Sequence, residues 1–277
     1  MPRISIITVN YNDAEGLQKT MDSVLGQSFS DFEYVVIDGG SSDNSAQVIE
    51  ERQRQLAYWV SEADTGVYEA MNKGLRQAKG DYVLFLNSGD RFHSTEVLER
   101  VAPALTTGED ILYGNMVFQG KNTEFLREYP DTLTFQYFLE RSIPHPAAFI
   151  QRSLFDQLFY YSEVFKIVSD WEFFIYAVCI KRVSYRHIPE TISIFQMDGL
   201  SNDPKNAALM MEEKMKVYRN YFQPYYETAL QHQKLTALMQ TEEMRLVQTL
   251  RKDPAGKKWM LRGLRWLSKR FSKKDTN

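Results

Sequence analysis

The first 113 residues alternate short apolar runs with helix-patterned stretches, and this alternation limits the possible folds more than any other feature of the chain. Ile4–Val9, Tyr34–Ile37, Leu56–Val60, Tyr82–Leu86 and Ile111–Tyr113 read as strands. Gly16–Leu25, Ser45–Gln55, Val67–Ala78 and Thr95–Leu105 read as helices between them, with Asp43 or Ser45 and then Ser94 as caps. Strands separated by helices of this length imply a mainly parallel sheet with helices on both faces. Ligands of such sheets bind beyond the carboxyl ends of the strands, so the residue following each strand matters most.

Those strand ends are rich in acids, amides and glycines. Asn10-Tyr11-Asn12 follows the first strand and Asp38-Gly39-Gly40-Ser41-Ser42-Asp43 the second. Glu62-Ala63-Asp64-Thr65-Gly66 follows the third and Asn87-Ser88-Gly89-Asp90 the fourth. One such segment is ordinary turn chemistry; four on one sheet edge point to a site. The first turn lacks the Gly-x-Gly-x-x-Gly of dinucleotide binders, and no Walker-type lysine loop is present. A bound diphosphate then has to be neutralised differently, and a divalent cation held by one or two carboxylates is the usual means. Asp90, expected in an exposed turn after the most hydrophobic strand, is placed to hold that cation.

The ordered motifs resemble the family 2 glycosyltransferases of the GT-A fold, in particular bacterial colanic-acid-type exopolysaccharide transferases. The resemblance rests on Val9–Asn12, Val36–Asp43, Ser61–Gly74, Leu86–Asp90, Pro144-His145-Pro146, Val168–Glu172 and Phe195–Ser201, and covers residues 3–202. It implies a Rossmann-like α/β sheet flanked by helices, a nucleotide diphosphate sugar donor (a UDP-sugar foremost), Mn²⁺ or Mg²⁺, and inversion at the anomeric carbon. Carried over by position, Thr8, Tyr11, Asp38 and Asp64 line the nucleoside pocket, with Asn10, Asn72, Lys73 and Asn87 also on the donor side. Tyr11 can stack on a base and Asp38 can accept from a ring N–H or a ribose hydroxyl. Lys73 is open to two readings, a phosphate contact or a solvated helix lysine. Asn87 stands where the family's Asp-x-Asp motif has its first acid, leaving Asp90 as that motif's only carboxylate. Asp170 matches the family's general base, which takes the acceptor hydroxyl's proton during displacement; a helix N-cap is the alternative. Glu172 is the reserve base. His145 is assigned to the acceptor side or to a loop without a role, and Trp171 to an acceptor platform or the core.

Charge divides the chain unevenly. Residues 255–277 carry eight basic side chains against one acid, a surplus of seven that leaves −10 on residues 1–254. An acidic body argues against nucleic acid and assigns the tail a separate task. Met260, Leu264, Leu267 and Phe271 form one helical stripe opposite Lys258, Arg262, Arg265, Lys269 and Lys273, the pattern of a helix lying on an anionic membrane surface. Docking on the acidic body and a disordered tail are the alternatives. The expected organisation is a catalytic domain over 1–203, helices broken near Pro224 over 204–254, and the tail. With one cysteine and no signal peptide or membrane-spanning run, the expected location is the cytoplasm, peripheral on the inner membrane face. Expected function is transfer of a hexose to a glycan or lipid-linked acceptor in polysaccharide biosynthesis. A sugar nucleotidyltransferase and a non-catalytic sugar-nucleotide-binding protein are its rivals.

Overall fold

A computed structural model describes residues 3–197, 203–223 and 225–271. Asp198–Ser201 of the last motif, Pro224, and Lys273 of the basic face lie outside them. The chain divides into two compact units, Met1–Val217 and Tyr218–Asn277.

The first unit opens as the alternation predicts. β1 (Ile4–Asn10), α1 (Ala14–Leu25), β2 (Phe32–Asp38), α2 (Ser45–Glu50), β3 (Tyr58–Ser61), α3 (Val67–Gln77) and β4 (Tyr82–Phe85) follow in order. β1 lies between β2 and β4, β3 flanks β2, and all three pairings are parallel. Every residue of β1 and β4 is buried, which is why both read as unbroken apolar runs rather than alternating ones. α3 lies tight on this sheet. A Cβ at Gly74 would come within 2.5 Å of Ile7 Cγ2, so only glycine fits at that approach.

Beyond β4 the sheet becomes mixed. β5 (Arg91–Phe92), α4 (Val97–Val101), β6 (Ile111–Gln119), β7 (Glu124–Arg127), α5 (Phe135–Glu140), β8 (Ala148–Gln151), α6 (Ser153–Gln157), α7 (Ser169–Ile175) and β9 (Tyr185–Gln196) complete it. The strand order is β3-β2-β1-β4-β8-β6-β9-β5, with β7 hydrogen-bonded to β6. β8 is antiparallel to β4 and β6, while β6 and β9 run parallel. β6 is much longer than the three residues expected, because its outer half pairs with β7 and β9.

Helix boundaries shift for local reasons. α2 stops at Glu50 and the chain tightens into a 3₁₀ turn over Gln53–Gln55. Asn44 is its N-cap, and Asp43 Oδ1 accepts from Ser45 N, 3.0 Å. α4 starts only at Val97; Ser94 is not its cap but accepts from Arg100 Nη2, 2.8 Å.

α8 (Ala207–Tyr221) runs across the boundary into the second unit, where α9 (Tyr225–Met239), α10 (Glu242–Lys252) and α11 (Pro254–Phe271) follow. Thr241 caps α10 by accepting from Met244 N, 3.4 Å. Along α11, Trp259, Leu264, Trp266 and Leu267 are all exposed. No helix among the described residues is long and apolar enough to cross a membrane.

Candidate active site

The ends of β1, β2 and β3 are tied together by one buried acid. Asp38 Oδ1 accepts from Asn10 Nδ2 (2.6 Å) and Ser41 Oγ (2.5 Å), and Oδ2 from Ser41 N (3.0 Å) and Ser61 Oγ (2.6 Å). Burial raises this carboxyl's pKa, but the donors outweigh it and the net shift is downward. Four donors fill a carboxylate's usual acceptor positions. Asp38 therefore ties this strand edge together, and its oxygens are engaged within the chain rather than open for the direct bond to a base or ribose that was expected. The Asp38-Gly39-Gly40 turn needs its second glycine, where φ is +76° and a Cβ would lie 2.9 Å from Ala63 N. Asn12 completes the knot, accepting at Oδ1 from Ser42 N, 2.8 Å.

The other residues expected on the donor side separate into exposed and structural groups. Tyr11 is 67% exposed, open for stacking. Asp64 is partly buried, which raises its pKa, and Oδ1 accepts from Gly66 N, 3.1 Å. Thr8 is fully buried and its hydroxyl is engaged by Tyr34 Oη (2.9 Å) and Leu86 O (2.8 Å); its expected place on the pocket wall is corrected to support beneath it. Asn72 is likewise buried, donating to Tyr161 O (2.8 Å) and Glu163 Oε1 (2.9 Å) and accepting from Tyr161 N (3.0 Å). It pins the α6–α7 loop, not a donor. Lys73 is partly exposed and already paired. Its ammonium bridges Glu62 (3.0 Å), Glu69 (3.3 Å) and Ala63 O (3.2 Å), holding the turn after β3.

A cleft of about 1550 Å³ opens beside this edge, lined by Asn87, Asp90, His145, Asp170 and Trp171 among others. Thr8, Asn10, Tyr11, Asp38, Asp64, Asn72, Lys73 and Glu172 are not on its wall. Asp90 is only 3% exposed, correcting the exposed turn expected. Its Oδ1 accepts from Gln196 N at the end of β9, 2.9 Å. Burial pushes its pKa up to about 7, against the pull of that hydrogen bond and of His145 and Arg91. Thr20 of α1 braces the turn, donating to Asp90 O (2.6 Å) and accepting from Gly89 N (3.1 Å).

Asp170 lies in the first turn of α7, whose N-cap is Val168, so the capping alternative is removed. Its Oδ1 accepts from Tyr68 Oη (2.8 Å) and its Oδ2 pairs with His145 Nδ1 (3.0 Å). Asn87 Nδ2 meets His145 Nε2 at 3.3 Å; an amide nitrogen only donates, so the ring proton belongs on Nδ1, facing Asp170. Burial raises the Asp170 pKa, and His145 and Tyr68 more than reverse it, leaving an ionised carboxylate. Trp171 is 3% exposed and donates from Nε1 to Phe138 O, 2.9 Å; of its two readings, the core is the one observed. Glu172 is 4% exposed and away from the cleft, which removes it as reserve base.

Sequence reasoning assigned no role to Tyr68, Thr20 or Gln196. Tyr68 had a signal, since it shares a helix face with Asn72 one turn on. Thr20 had only the burial of a polar residue on an apolar helix stripe. Gln196 had none beyond its motif, because β9 is distant in sequence.

Among the described residues no three His, Cys, Asp or Glu side chains are grouped to hold a cation. Asp90 supplies one carboxylate, and Asn87 Oδ1 is buried with no hydrogen-bond partner among the described residues. This donor set fits a cation that brings most of its oxygens from a bound diphosphate, as Mg²⁺ commonly does.

Comparison with known proteins agrees with the geometry. The sequence profile described as glycosyl transferase family 2 matches residues 5–168. An uncharacterized glycosyltransferase of Mycobacterium tuberculosis is 35% identical over 184 residues, 65% of this chain and 70% of the relative. A PGL/p-HBAD biosynthesis glycosyltransferase of Mycobacterium bovis is 31% identical over 208 residues, covering 73% and 80%. Two solved structures share the fold. Staphylococcus aureus TarS 1–349 in complex with UDP-GlcNAc aligns with a TM-score of 0.60 at 22% identity, over 74% of this chain and 61% of that one. The Pyrobaculum calidifontis mannosyltransferase PcManGT, in complex with GDP-Man and Mn²⁺, aligns with 0.55 at 15% identity, over 93% and 83%. The sheet and its flanking helices are those of the GT-A fold. The chain belongs to glycosyl transferase family 2.

Proposed function

We propose that the chain transfers a hexose, with inversion, from a UDP-sugar to a glycan or lipid-linked acceptor in polysaccharide biosynthesis. The observation that carries this reading is Asp170, an ionised carboxylate held between Tyr68 and His145 on the wall of an open cleft. In the proposed reaction the acceptor hydroxyl oxygen attacks the anomeric carbon and its proton passes to Asp170. The bond from that carbon to the diphosphate oxygen breaks on the opposite face, and UDP departs with the bonding pair. A divalent cation held by Asp90 and the donor's phosphates would offset the charge gathering on the leaving group. Tyr68 and His145 aim the carboxylate; Asn87 fixes the histidine. A donor nucleotide is supported by the neighbours solved with UDP-GlcNAc and GDP-Man, and Mn²⁺ by the latter.

Attachment to an anionic membrane is part of the same reading, resting on the basic surplus of residues 255–277 and the exposed Trp259, Leu264, Trp266 and Leu267 of α11. Asp170→Asn tests the central claim. Turnover should fall at least ~10²-fold, the lower end for a positioned base, with UDP affinity kept. Equal losses in both would make Asp170 a structural residue, and release of pyrophosphate instead of UDP would mark a nucleotidyltransferase.

A further inference from the structure

Beyond Asp170 the cleft wall carries four cations that form no ion pair among the described residues, Lys214 among them feeling the Asp170 charge from a distance. Lys214 of α8 places its ammonium 5.0 Å from the centre of the Trp171 ring. Trp171 is bonded to Phe138 of α5, and Arg141 directly follows that helix. On the other side, Glu213, next to Lys214, accepts from Lys166 N (2.8 Å) and Ile167 N (3.0 Å), which brings Lys166 alongside. Arg127, the last residue of β7, lines the same cleft. All four cations line the cleft, and none forms an ion pair among the described residues.

The nearby acids are already engaged. Glu213 holds the two loop amides, Glu140 accepts from Gln136 (2.9 Å) and Glu124 from Gln119 (2.7 Å). Asp170 has its two oxygens on Tyr68 and His145. Elsewhere on this acidic body cations are commonly neutralised, as in Lys19–Glu15, Arg52–Asp22 and Lys73–Glu62. Cations without an ion-pair partner on the wall of a cleft attract an anionic ligand. Arg127 additionally lies over Phe118, its guanidinium carbon 4.2 Å from the ring centre.

We infer that this basic wall is an acceptor subsite for a phosphate or diphosphate group, bound by Lys214, Arg141, Lys166 and Arg127 while the acceptor hydroxyl reaches Asp170. The inference rests on the transferase reading and narrows its acceptor to an anionic one. The phosphate can be the linkage to a lipid or a substituent of the glycan, and both share the chemistry recognised here.

The test is calorimetry on the full chain, with and without saturating UDP. Its probes are inorganic pyrophosphate, geranyl diphosphate and geraniol. Pyrophosphate and geranyl diphosphate should bind with UDP present, and geraniol should not. The double variant Lys214→Gln/Arg141→Gln should weaken both by at least about tenfold, the loss of charge-assisted contacts, and leave UDP affinity unchanged. Lys166 is exposed, so Lys166→Gln leaves the packing alone and should weaken both probes about threefold. Lys19→Gln, at a cleft-lining lysine already paired with Glu15, should change nothing. Tighter binding of geranyl diphosphate than of pyrophosphate assigns the phosphate to a lipid linkage; equal binding assigns it to the phosphate group alone. Absence of binding, displacement of pyrophosphate by UDP, or equal affinity across variants would overturn the subsite. A chain that fails to bind UDP but loses pyrophosphate in the basic-wall variants would instead sink the donor reading and leave the subsite standing.

Discussion

Asp38 and Asp90 are both buried acids at strand ends, yet their pKa values move in opposite directions. Asp38 receives four donors; Asp90 receives one backbone amide, and burial wins. For Asp90 the folded-state value of about 7 lies above its ordinary 3.8. Between those values the folded chain keeps a proton that the unfolded chain has released, so stability falls as pH rises through the window. The full gap corresponds to a cost of about 4 kcal/mol at most above pH 7. Asp90→Asn keeps the acceptor for Gln196 N and removes that cost. With chelator present it should raise the melting temperature at pH 8 and leave it unchanged near pH 4. An equal effect at both would mean that Asp90 is ionised in the fold. His145 acts on a carboxylate of the other kind. Replacing it with Ala lets burial dominate at Asp170, so the acid limb of the kcat/KM profile should move to higher pH, with turnover down about tenfold. A merely structural histidine would lower turnover and leave the limb in place.

At the scale of elements, α3 connects the two halves of the site. Its Tyr68 and Asn72, one turn apart, face the α6–α7 loop and α7; Glu69 and Lys73, also one turn apart, hold the turn after β3. Tyr161, which Asn72 clamps, packs against Tyr68 and Phe85 with centroids at 5.7 Å and 5.4 Å. Asn72→Ala orphans the Tyr161 amide, and a buried unpaired donor costs about 1–3 kcal/mol. Chemical denaturation should register that loss. Because the loop leads into Asp170, turnover should fall while UDP affinity stays within about twofold; a loss confined to UDP affinity would return Asn72 to the donor site. The mixed half of the sheet has the same logic. β9 returns across the molecule to place Gln196 on Asp90, and no local pattern around Asp90 announces it.

At the scale of the whole molecule the chain is two units, and the proposed chemistry lies wholly in the first. Deleting residues 255–277 should therefore leave donor hydrolysis nearly unchanged. It should abolish flotation with anionic liposomes, to which each basic residue near the surface adds up to ~1 kcal/mol and the exposed tryptophans and leucines an apolar share. Raised salt screens the first contribution and spares the second. Equal flotation of the full and truncated chains, at low and high salt, would show that the tail does not bind membranes.

Periodicity in the sequence was sufficient for β1 to β4 and for the helices between them, and strand-end chemistry for the polar edge beside which the cleft opens. Both are local properties: a buried strand reads as an apolar run, and a helix as a 3.6-residue stripe. The acid motifs pointed to Asp90 and Asp170, though not that burial would raise the pKa of one while hydrogen-bonding partners lowered that of the other. That difference is a matter of how many donors a fold aims at each carboxylate, which only tertiary structure decides. The same holds for Thr8, Asn72 and Lys73, whose polar atoms are engaged by partners up to 91 residues away. It holds for the basic wall as well, since four cations on β7, beside α5, before α7 and on α8 share no sequence neighbourhood. Residue type sets which chemistry a side chain can perform; long-range packing sets which of its hydrogen bonds and charges remain free to perform it.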